Sequence, residues 1–191
     1  NTSMVELSIL SKKRIVNSGK IKFKESTNLS MFVDVEVGND TIRIFNNHLE
    51  SYSISFKSLI TRLKTTDTTS QMAREEIYNV HKKMRKAVLR RSLQVDSLSR
   101  LISLSPYSTI ICGDQNETPI SYAYTTLIRG HYDTFMEAGR GFSATYSLLY
   151  PLIRIDYIFV PKSYKVLNHE VIRINYSDHY PIFSTFYIPP K

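Results

Sequence analysis

Cysteine is nearly absent from this chain of 191 residues, since Cys112 is the only one. That scarcity excludes an internal disulfide and any zinc site built on a pair of cysteines. No apolar run approaches the ~20 residues of a membrane span, and no signal peptide opens the residues given. Both absences apply to these 191 residues alone. Internal repeats and low-complexity tracts are also lacking, which argues against a solenoid and against a disordered linker.

The composition that is present is typical of a globular protein. Hydrophobic residues make up 42% of the chain and aromatic residues 12%, which is enough to build a real core. The length predicts a single domain over residues 1–191. The net charge of +8 favours an anionic partner, such as a phosphate ester, a nucleic acid or an anionic membrane surface.

A long helix is predicted from Thr68 to about Leu104, because apolar residues recur there at mainly helical spacing. Thr68 with Gln71 can form a capping box at its start. A break or bend is expected between Arg90 and Ser92, since a helix of this length is unusual in a small domain. The helix also carries a basic cluster, which reads either as a solvated helix face or as a binding patch: Lys82, Lys83, Arg85, Lys86, Arg90 and Arg91.

Strand-like runs lie on both sides of this helix. Two alternating runs separated by Gly38–Asp40 predict a β-hairpin. A buried strand is predicted at Thr109–Cys112, where Cys112 reads as an inert thiol. A short helix is expected from Pro119 to about Ile128. The predicted strands are 5–10, 21–23, 31–37, 41–45, 109–112, 154–160, 170–175 and 182–187.

Four short motifs, each beside a strand-like run, carry the polar groups that phosphoester hydrolysis requires. Such a site must neutralise charge on phosphorus, position or deprotonate a water, and protonate the leaving oxygen. Carboxylates that bind a hard cation can neutralise the charge on phosphorus. A histidine held by a carboxylate can take up or donate a proton. The motifs are Asn47–Leu49, Gly113–Asn116, Arg154–Tyr157 and Ser177–Pro181.

In this order, the motifs resemble the endonuclease/exonuclease/phosphatase family of metal-dependent phosphoesterases, which includes the pancreatic-type DNases. The resemblance covers nearly the whole chain and implies an α+β fold, the four-layer α/β/β/α sandwich of the DNase I-like proteins. The family normally opens with a strand carrying an asparagine and then a Gln-Glu pair whose glutamate holds the metal. Neither is found here, so the chain is expected to match the C-terminal two-thirds of the domain, with the N-terminal strands missing.

The resemblance also suggests a role for each motif residue. Adjacent residues point in different directions, so His179 needs a carboxylate from elsewhere than Asp178, and the family resemblance supplies Asp156. His179 is then a base or a cationic stabiliser facing the phosphate. Asp178 belongs with the metal and the attacking water.

The resemblance also implies roles for the residues of the motifs Asn47–Leu49 and Gly113–Asn116. Asp114 and Asn116 are expected to flank the phosphate and to help bind the metal, with the amide donating to a phosphoryl oxygen. His48 is expected to bind or protonate a phosphate oxygen from the opposite side. Asn47 and Tyr146 are predicted to contact substrate. The oxygen donors indicate Mg²⁺, with Mn²⁺ as the other candidate.

The sequence therefore predicts a Mg²⁺-dependent phosphoesterase, with a phosphodiester favoured over a phosphomonoester. Nucleic acids, phospholipids and inositol phosphates all remain candidate substrates, and no protein partner is inferred. The alternatives are a non-catalytic basic module and an inactive fragment, either of which would bind nucleic acid or anionic lipid. The likeness is to a bacterial branch whose members often carry membrane-spanning helices before the domain. An anchor preceding Asn1 and a place in the cell envelope are therefore expectations.

Overall fold

The computed structural model describes residues 7–54, 61 and 71–190, without the side chains of residues 72 and 73. Strands and helices alternate along this part of the chain. In chain order they are β1 (Ile15–Lys22), β2 (Leu29–Val37), β3 (Asp40–His48), α1 (Gln71–Ser103), β4 (Ser108–Asp114), α2 (Tyr122–Leu127), β5 (His131–Asp133), α3 (Thr134–Ala138), β6 (Asp156–Pro161), β7 (Lys165–Val171) and β8 (Ile182–Tyr187).

Six of the strands form one mixed sheet in the order β1-β2-β3-β4-β6-β5. β3 and β4 run parallel, whereas β6 runs antiparallel to β4. The predicted hairpin is confirmed, since β2 and β3 pair across a two-residue turn that begins at Gly38. Gly38 has a φ of +62° there, a conformation that glycine adopts without steric cost.

Several predicted strand boundaries need correction. The predicted strand at 5–10 is wrong for its described residues, 7–10, which form no strand. Within this segment, the carbonyl of Ser8 accepts a hydrogen bond from a side chain, Nδ2 of Asn46 at 3.2 Å, and not from the backbone of a strand. β7 ends at Val171, before most of the predicted run 170–175, and the strand that was expected to start at Arg154 begins at Asp156.

The six-stranded sheet is covered on its two faces by different layers. One face packs against α1 and α2 through a core that includes Phe45, Val95, Leu98, Ile111 and Phe159. The opposite face meets the β7–β8 hairpin through a second core of Ile42, Ile110, Val160 and Tyr164. Apart from the mostly exposed edge strand β1, a sheet between two apolar layers is the expected arrangement for such a domain.

The α+β class is thus confirmed, with a mixed sheet, a second smaller sheet and flanking helices. The outward side chains Phe183 and Tyr187 of β8 are each 54% exposed. Among the described residues, therefore, a helix layer covers the six-stranded sheet but leaves these outer β8 positions open. None of the described helices has both the length and the apolarity needed to cross a membrane.

Helix α1 runs for 33 residues without the break expected between Arg90 and Ser92. That prediction is wrong, because no proline or glycine interrupts the helix and nothing else opens its hydrogen-bond ladder. Among its described side chains, the buried ones lie from Ala87 onward, and Val95 and Leu98 pack against the sheet. Ile77 and Val88, which belong to the apolar residues at helical spacing, are exposed. The expected cap at Thr68 lies outside the described residues.

The basic cluster on α1 divides into two parts with different roles. Lys82, Lys83, Arg85 and Lys86 are exposed, whereas Arg91 is only 1% exposed. Arg90 is partly buried and pairs with Glu50 at 2.8 Å. Neither the solvated-face nor the binding-patch interpretation fits Arg90 and Arg91, because their charges are turned toward the protein.

Arg91 joins three parts of the chain. Its Nε and Nη2 donate to Oε1 of Glu117 at 2.9 and 2.6 Å. Its Nη1 donates to the backbone carbonyl of Glu50, and its guanidinium lies 4.2 Å from the ring centre of Tyr52. Because Glu50 follows β3 and Glu117 follows β4, Arg91 ties α1 to the loops after both strands.

Replacing Arg91 with alanine is expected to lower the free energy of unfolding by about 3–5 kcal/mol, because it leaves the Glu117 carboxylate without its buried partner. Lys86→Ala on the exposed face of the same helix is the matched control and should change it by under ~0.5 kcal/mol. Urea unfolding followed by circular dichroism measures both. Equal losses in the two variants would contradict the role given to Arg91.

Candidate active site

Three neighbouring strands bring their polar residues to one edge of the large sheet. His48 ends β3 and is the register partner of Asp114, which ends β4. Asp114 in turn lies directly opposite Asp156, the first residue of β6. The motifs at Asn47–Leu49, Gly113–Asn116 and Arg154–Tyr157 are therefore adjacent because β4 pairs with both β3 and β6.

Gly113 permits the close approach of β4 to β3 at this point. Its φ is +114°, and a Cβ atom added there would lie 2.1 Å from the carbonyl oxygen of Asn47. Any side chain would therefore collide with the backbone of β3. Asn116, three residues later, has a φ of +51°, which asparagine tolerates better than most residues.

Asn116 is fixed against Asp114. Its backbone N–H donates to Oδ1 of Asp114 at 2.7 Å, and its side-chain Nδ2 donates to Oδ2 at 3.0 Å. The same Nδ2 donates to the carbonyl of Leu49 at 3.0 Å. The predicted donation from this amide to a phosphoryl oxygen is not available in this arrangement, because both amide hydrogens have protein acceptors.

His179 meets Asp156 across the site. Its Nδ1 lies 2.9 Å from Oδ2 of Asp156, and the imidazole is partly buried. If Nδ1 carries the proton, Nε2 is the nitrogen that can meet a substrate. The structure thus brings together the two residues that the sequence analysis paired.

Thr145 holds the backbone near both His179 and Asp156. Its side chain is fully buried, and its hydroxyl oxygen accepts from the backbone N–H groups of Ile155 and Asp156, both at 3.1 Å. Its carbonyl accepts from the N–H of Tyr180 at 2.7 Å, next to His179. One residue therefore fixes the backbone on the Asp156 side and on the His179 side.

Tyr146 and Asp178 complete the edge of the site. The ring of Tyr146 packs edge-to-face on His179 with ring centres 5.4 Å apart. Ser147 donates through its N–H and its hydroxyl to the backbone carbonyl of Asp178, at 2.9 and 3.0 Å. The Asp178 side chain is exposed and lines the cleft.

The ionisable groups of the site have strongly shifted proton affinities. Burial, and then the nearby charge of Asp156, raise the pKa of Asp114 to about 7. The hydrogen bond to Asp156 raises the pKa of His179 to about 9. Burial, and then the charge of His179, lower the pKa of His48. At neutral pH the site therefore contains one cationic and one neutral histidine.

These residues line a cleft of about 780 Å³. Its polar floor is formed by the motif residues, and its walls add apolar groups from α1 and from the segment before β6. No lysine or arginine is among the described lining residues, which are His48, Ser51, Tyr52, Ser53, Ile54, Met84, Asp114, Asn116, Glu117, Thr118, Tyr146, Leu149, Ile153, Ile155, Asp156, Asp178 and His179.

A possible cation site is formed within this cleft. Asp114, Asp156 and His179 each offer a ligand atom, and these atoms lie within 4.8 Å of one another. Asp178 was predicted as a metal ligand but is not part of this group. Nε2 of His48 lies 3.7 Å from Oδ2 of Asp114, too far for a direct hydrogen bond.

One predicted site residue lies elsewhere. Asn47 is fully buried and does not line the cleft, so the structure does not bring it to a substrate. Successive strand residues point to opposite faces, and His48 occupies the cleft side. The three histidines that match no motif also lie outside the cleft. His81 is exposed on α1, whereas His131 and His169 are buried and hydrogen-bonded to other residues.

Sequence reasoning missed the supporting residues of the site. Glu117, Arg91 and Thr145 belong to none of the four motifs. Arg91 had one detectable signal, because it stands four residues after Ala87 and four before Val95 on the buried face of α1. A charged residue at such a position indicates a buried ion pair.

Comparison with known proteins identifies a family for this chain. The sequence profile of the Endonuclease/Exonuclease/phosphatase family matches residues 6–179. No curated protein sequence matches the chain.

Solved structures with similar folds include three different proteins. A mannosyl-6-phosphatase of Bacteroides thetaiotaomicron matches at 17% identity and a TM-score of 0.59, over 93% of this chain and 68% of that one. A humanized TDP2 of D. rerio matches at 16% and 0.60, over 92% and 68%. The human Nocturnin catalytic domain matches at 16% and 0.56, over 92% and 62%.

These identities establish likeness of fold and nothing finer. The chain spans about two thirds of the length of the structures that it matches, as the shares of 68%, 66% and 63% for three of them show.

The raised pKa of His179 should make stability depend on pH. Its folded value of about 9 exceeds the ordinary 6.5, so its contribution is complete below pH 6.5 and is lost as the pH rises through 9. Between about pH 6.5 and 9.5, the free energy of unfolding should fall by roughly 1–3 kcal/mol more in the wild type than in His179→Gln. Urea titrations in buffer free of divalent cations measure this difference, and parallel pH profiles would contradict the pairing with Asp156.

Proposed function

Because the chain belongs to the Endonuclease/Exonuclease/phosphatase family, we propose that it is a divalent-metal-dependent phosphoesterase that hydrolyses a phosphodiester. Members of this family are hydrolases acting on phosphoesters. The observation that carries the proposal is the 2.9 Å pairing of His179 with Asp156, directly across the sheet edge from Asp114. Hydrolysis of a phosphoester requires such a positioned histidine beside a carboxylate that can bind a cation.

The residues present fit a hard divalent cation. Asp114 and Asp156 oppose each other on adjacent strands, and their mutual repulsion contributes to the raised pKa of Asp114. A cation at Asp114 relieves that repulsion, and carboxylate oxygens are the donors that Mg²⁺ and Mn²⁺ prefer. Because Asp156 is engaged with His179, we assign the metal to Asp114, with Asn116 and Asp178 as its other protein donors.

Each side chain then has a task in hydrolysis. The bound cation supplies charge neutralisation for the phosphoryl oxygens. Asp156 orients the imidazole of His179 through Nδ1, leaving Nε2 to hold or accept a proton at the phosphate. His48, whose lowered pKa keeps it neutral at pH 7, faces the same cleft and can donate to a second phosphate oxygen.

The proposed substrate class is a phosphodiester, although one similar fold belongs to a protein named as a mannosyl-6-phosphatase. At 17% identity that name does not transfer. In this proposal Tyr146 contacts the substrate, which is supported by the packing of its ring on His179 at the wall of the cleft.

His179→Ala is expected to lower kcat by about 10²–10⁴, the usual range for a positioned acid or base. Mg²⁺-dependent hydrolysis of bis(p-nitrophenyl) phosphate measures it. His81→Ala is the matched control, since His81 is exposed on α1 and should leave kcat unchanged. A His179 variant within threefold of the wild type would exclude the assigned role. If the wild type is inactive with both Mg²⁺ and Mn²⁺, the alternatives of a non-catalytic basic module or an inactive fragment would be favoured.

Asp156→Asn should lower kcat nearly as much as His179→Ala does, because an amide can present its NH₂ to the imidazole and select the wrong tautomer. The double variant should lose little more than either single variant, since the two residues act as a unit. The same diester assay gives all three rates. Losses that multiply would show that the two residues act independently.

Asp114→Asn is expected to remove the response of the protein to divalent cations. In thermal unfolding, saturating Mg²⁺ should raise the Tm of the wild type, because a ligand that binds only the folded state stabilises it. The variant should show no such rise and no Mg²⁺-dependent turnover. Glu137→Gln, on the exposed end of α3, is the matched control. A Tm rise preserved in Asp114→Asn would place the cation elsewhere.

A further inference from the structure

The cleft opens beside a segment with an unusual number of exposed apolar side chains. Residues 140–153 form one wall, where Tyr146, Leu149 and Ile153 line the cleft itself. Four neighbours on the same segment point outward, and together they are called the apolar rim. They are Phe142, Leu148, Tyr150 and Leu152, with exposed fractions of 57%, 40%, 36% and 80%.

The apolar rim is held in place by contacts with the catalytic edge. Phe142 packs edge-to-face on Tyr150 at 5.8 Å, and Tyr150 packs in the same way on Tyr180 at 6.3 Å. The N–H of Leu152 donates to the carbonyl of Leu149 at 2.8 Å, closing a tight turn. Leu148 and Leu152 are thus presented by an ordered segment next to His179. Exposed apolar groups clustered at a site mark a binding surface.

The segment that carries the rim has charged residues of one sign only, and the exposed carboxylate beside it, Asp178, faces the cleft. No aspartate or glutamate occurs between Ala138 and Ile155. Exposed Arg140 precedes the rim, and Arg173 lies across it with its guanidinium 4.9 Å from the ring centre of Tyr150. Aromatic and aliphatic groups mixed with cations are the composition that binds the interface of an anionic bilayer.

The interior of the cleft favours a lipid over a nucleic acid. A groove that follows a nucleic-acid backbone is lined by cations, but none of the described lining residues is lysine or arginine. The exposed lysines of the cluster 82–86 lie on α1, and only Met84 of that stretch lines the cleft. Apolar wall residues such as Leu149 and Ile153 suit an acyl or glycerol portion better than a phosphate backbone.

We propose that the apolar rim inserts into the interface of an anionic phospholipid bilayer and that the substrate is the headgroup phosphodiester of a phospholipid. This rests on the proposed phosphoesterase function. One water supplies hydroxide to phosphorus, the scissile P–O bond breaks, and the remaining proton goes to the departing alkoxide. A phosphomonoester and an alcohol result, without an oxidant or a second substrate.

The chain contains no tryptophan, so a single introduced indole reports on its own surroundings. Leu152→Trp should show an emission shift to shorter wavelength on mixing with vesicles of phosphatidylcholine and about 30 mol% phosphatidylglycerol, because the indole enters the interface. Leu104→Trp is the matched control. Leu104 is 69% exposed. It lies just before the start of β4, whereas Asp114 of the site lies at the other end of that strand. A shift in neither variant, or in both, overturns the proposal.

Binding without a probe gives a second measurement. In co-sedimentation with the same vesicles, Leu148→Ser with Leu152→Ser should reduce partitioning roughly tenfold, since two apolar side chains no longer enter the interface. Leu104→Ser should bind as the wild type does. Turnover of bis(p-nitrophenyl) phosphate should be equal in all three proteins, whereas hydrolysis of vesicle phosphatidylglycerol should fall only in the double variant.

The outcomes separate this inference from the proposed function. If vesicle binding depends on Leu148 and Leu152 but the protein hydrolyses no phosphoester, the docking surface is supported and the phosphoesterase function is refuted. If the protein hydrolyses the soluble diester but the double variant binds vesicles as the wild type does, the phosphoesterase function is supported and the docking surface is refuted. Binding of a single-stranded oligonucleotide without vesicle binding would overturn the lipid proposal in favour of a nucleic acid.

Discussion

The whole site depends on one electrostatic constraint, the placement of two carboxylates directly opposite each other at a buried sheet edge. The pairing of β4 with β6 sets Asp114 against Asp156, and neither can easily carry its charge beside the other. His179 balances Asp156 through a 2.9 Å contact. Asp114 is left with a raised pKa and with Asn116 folded against it. The proposed division into a histidine-bound and a cation-binding carboxylate is based on this opposition.

That opposition is maintained by groups that touch no substrate. Arg91 ties the loops after β3 and β4 to α1 through Glu117 and the carbonyl of Glu50. Thr145 fixes the backbone at Asp156 on one side and at Tyr180 on the other. Because charges this close are costly unless their geometry is fixed, the supporting contacts are as necessary to the site as the ligands.

Much of this arrangement could be predicted from the sequence, for identifiable reasons. Alternating apolar residues and the Gly38 turn signal the hairpin, and strands that end in Asp114 or His48 predict polar groups at a sheet edge. The spacing of Arg91 from Val95 indicates a buried ion pair, but its partner Glu117 could not be predicted, because that depends on which loop α1 packs against. Asn47 was misplaced for a related reason, since the motif does not reveal which of two adjacent strand residues faces the cleft.

The distribution of charge explains how an anionic ester can enter at all. The chain carries +8 overall, yet its cleft is lined by Asp114, Glu117, Asp156 and Asp178 without a lysine or arginine among the described residues. A phosphodiester approaching this lining meets repulsion from the carboxylates, which long-range attraction from distant lysines offsets weakly across a Debye length of ~8 Å. The cationic His179 offsets part of it, and under the proposed function a divalent cation at Asp114 would offset more. The proposed cation would therefore assist substrate entry as well as chemistry.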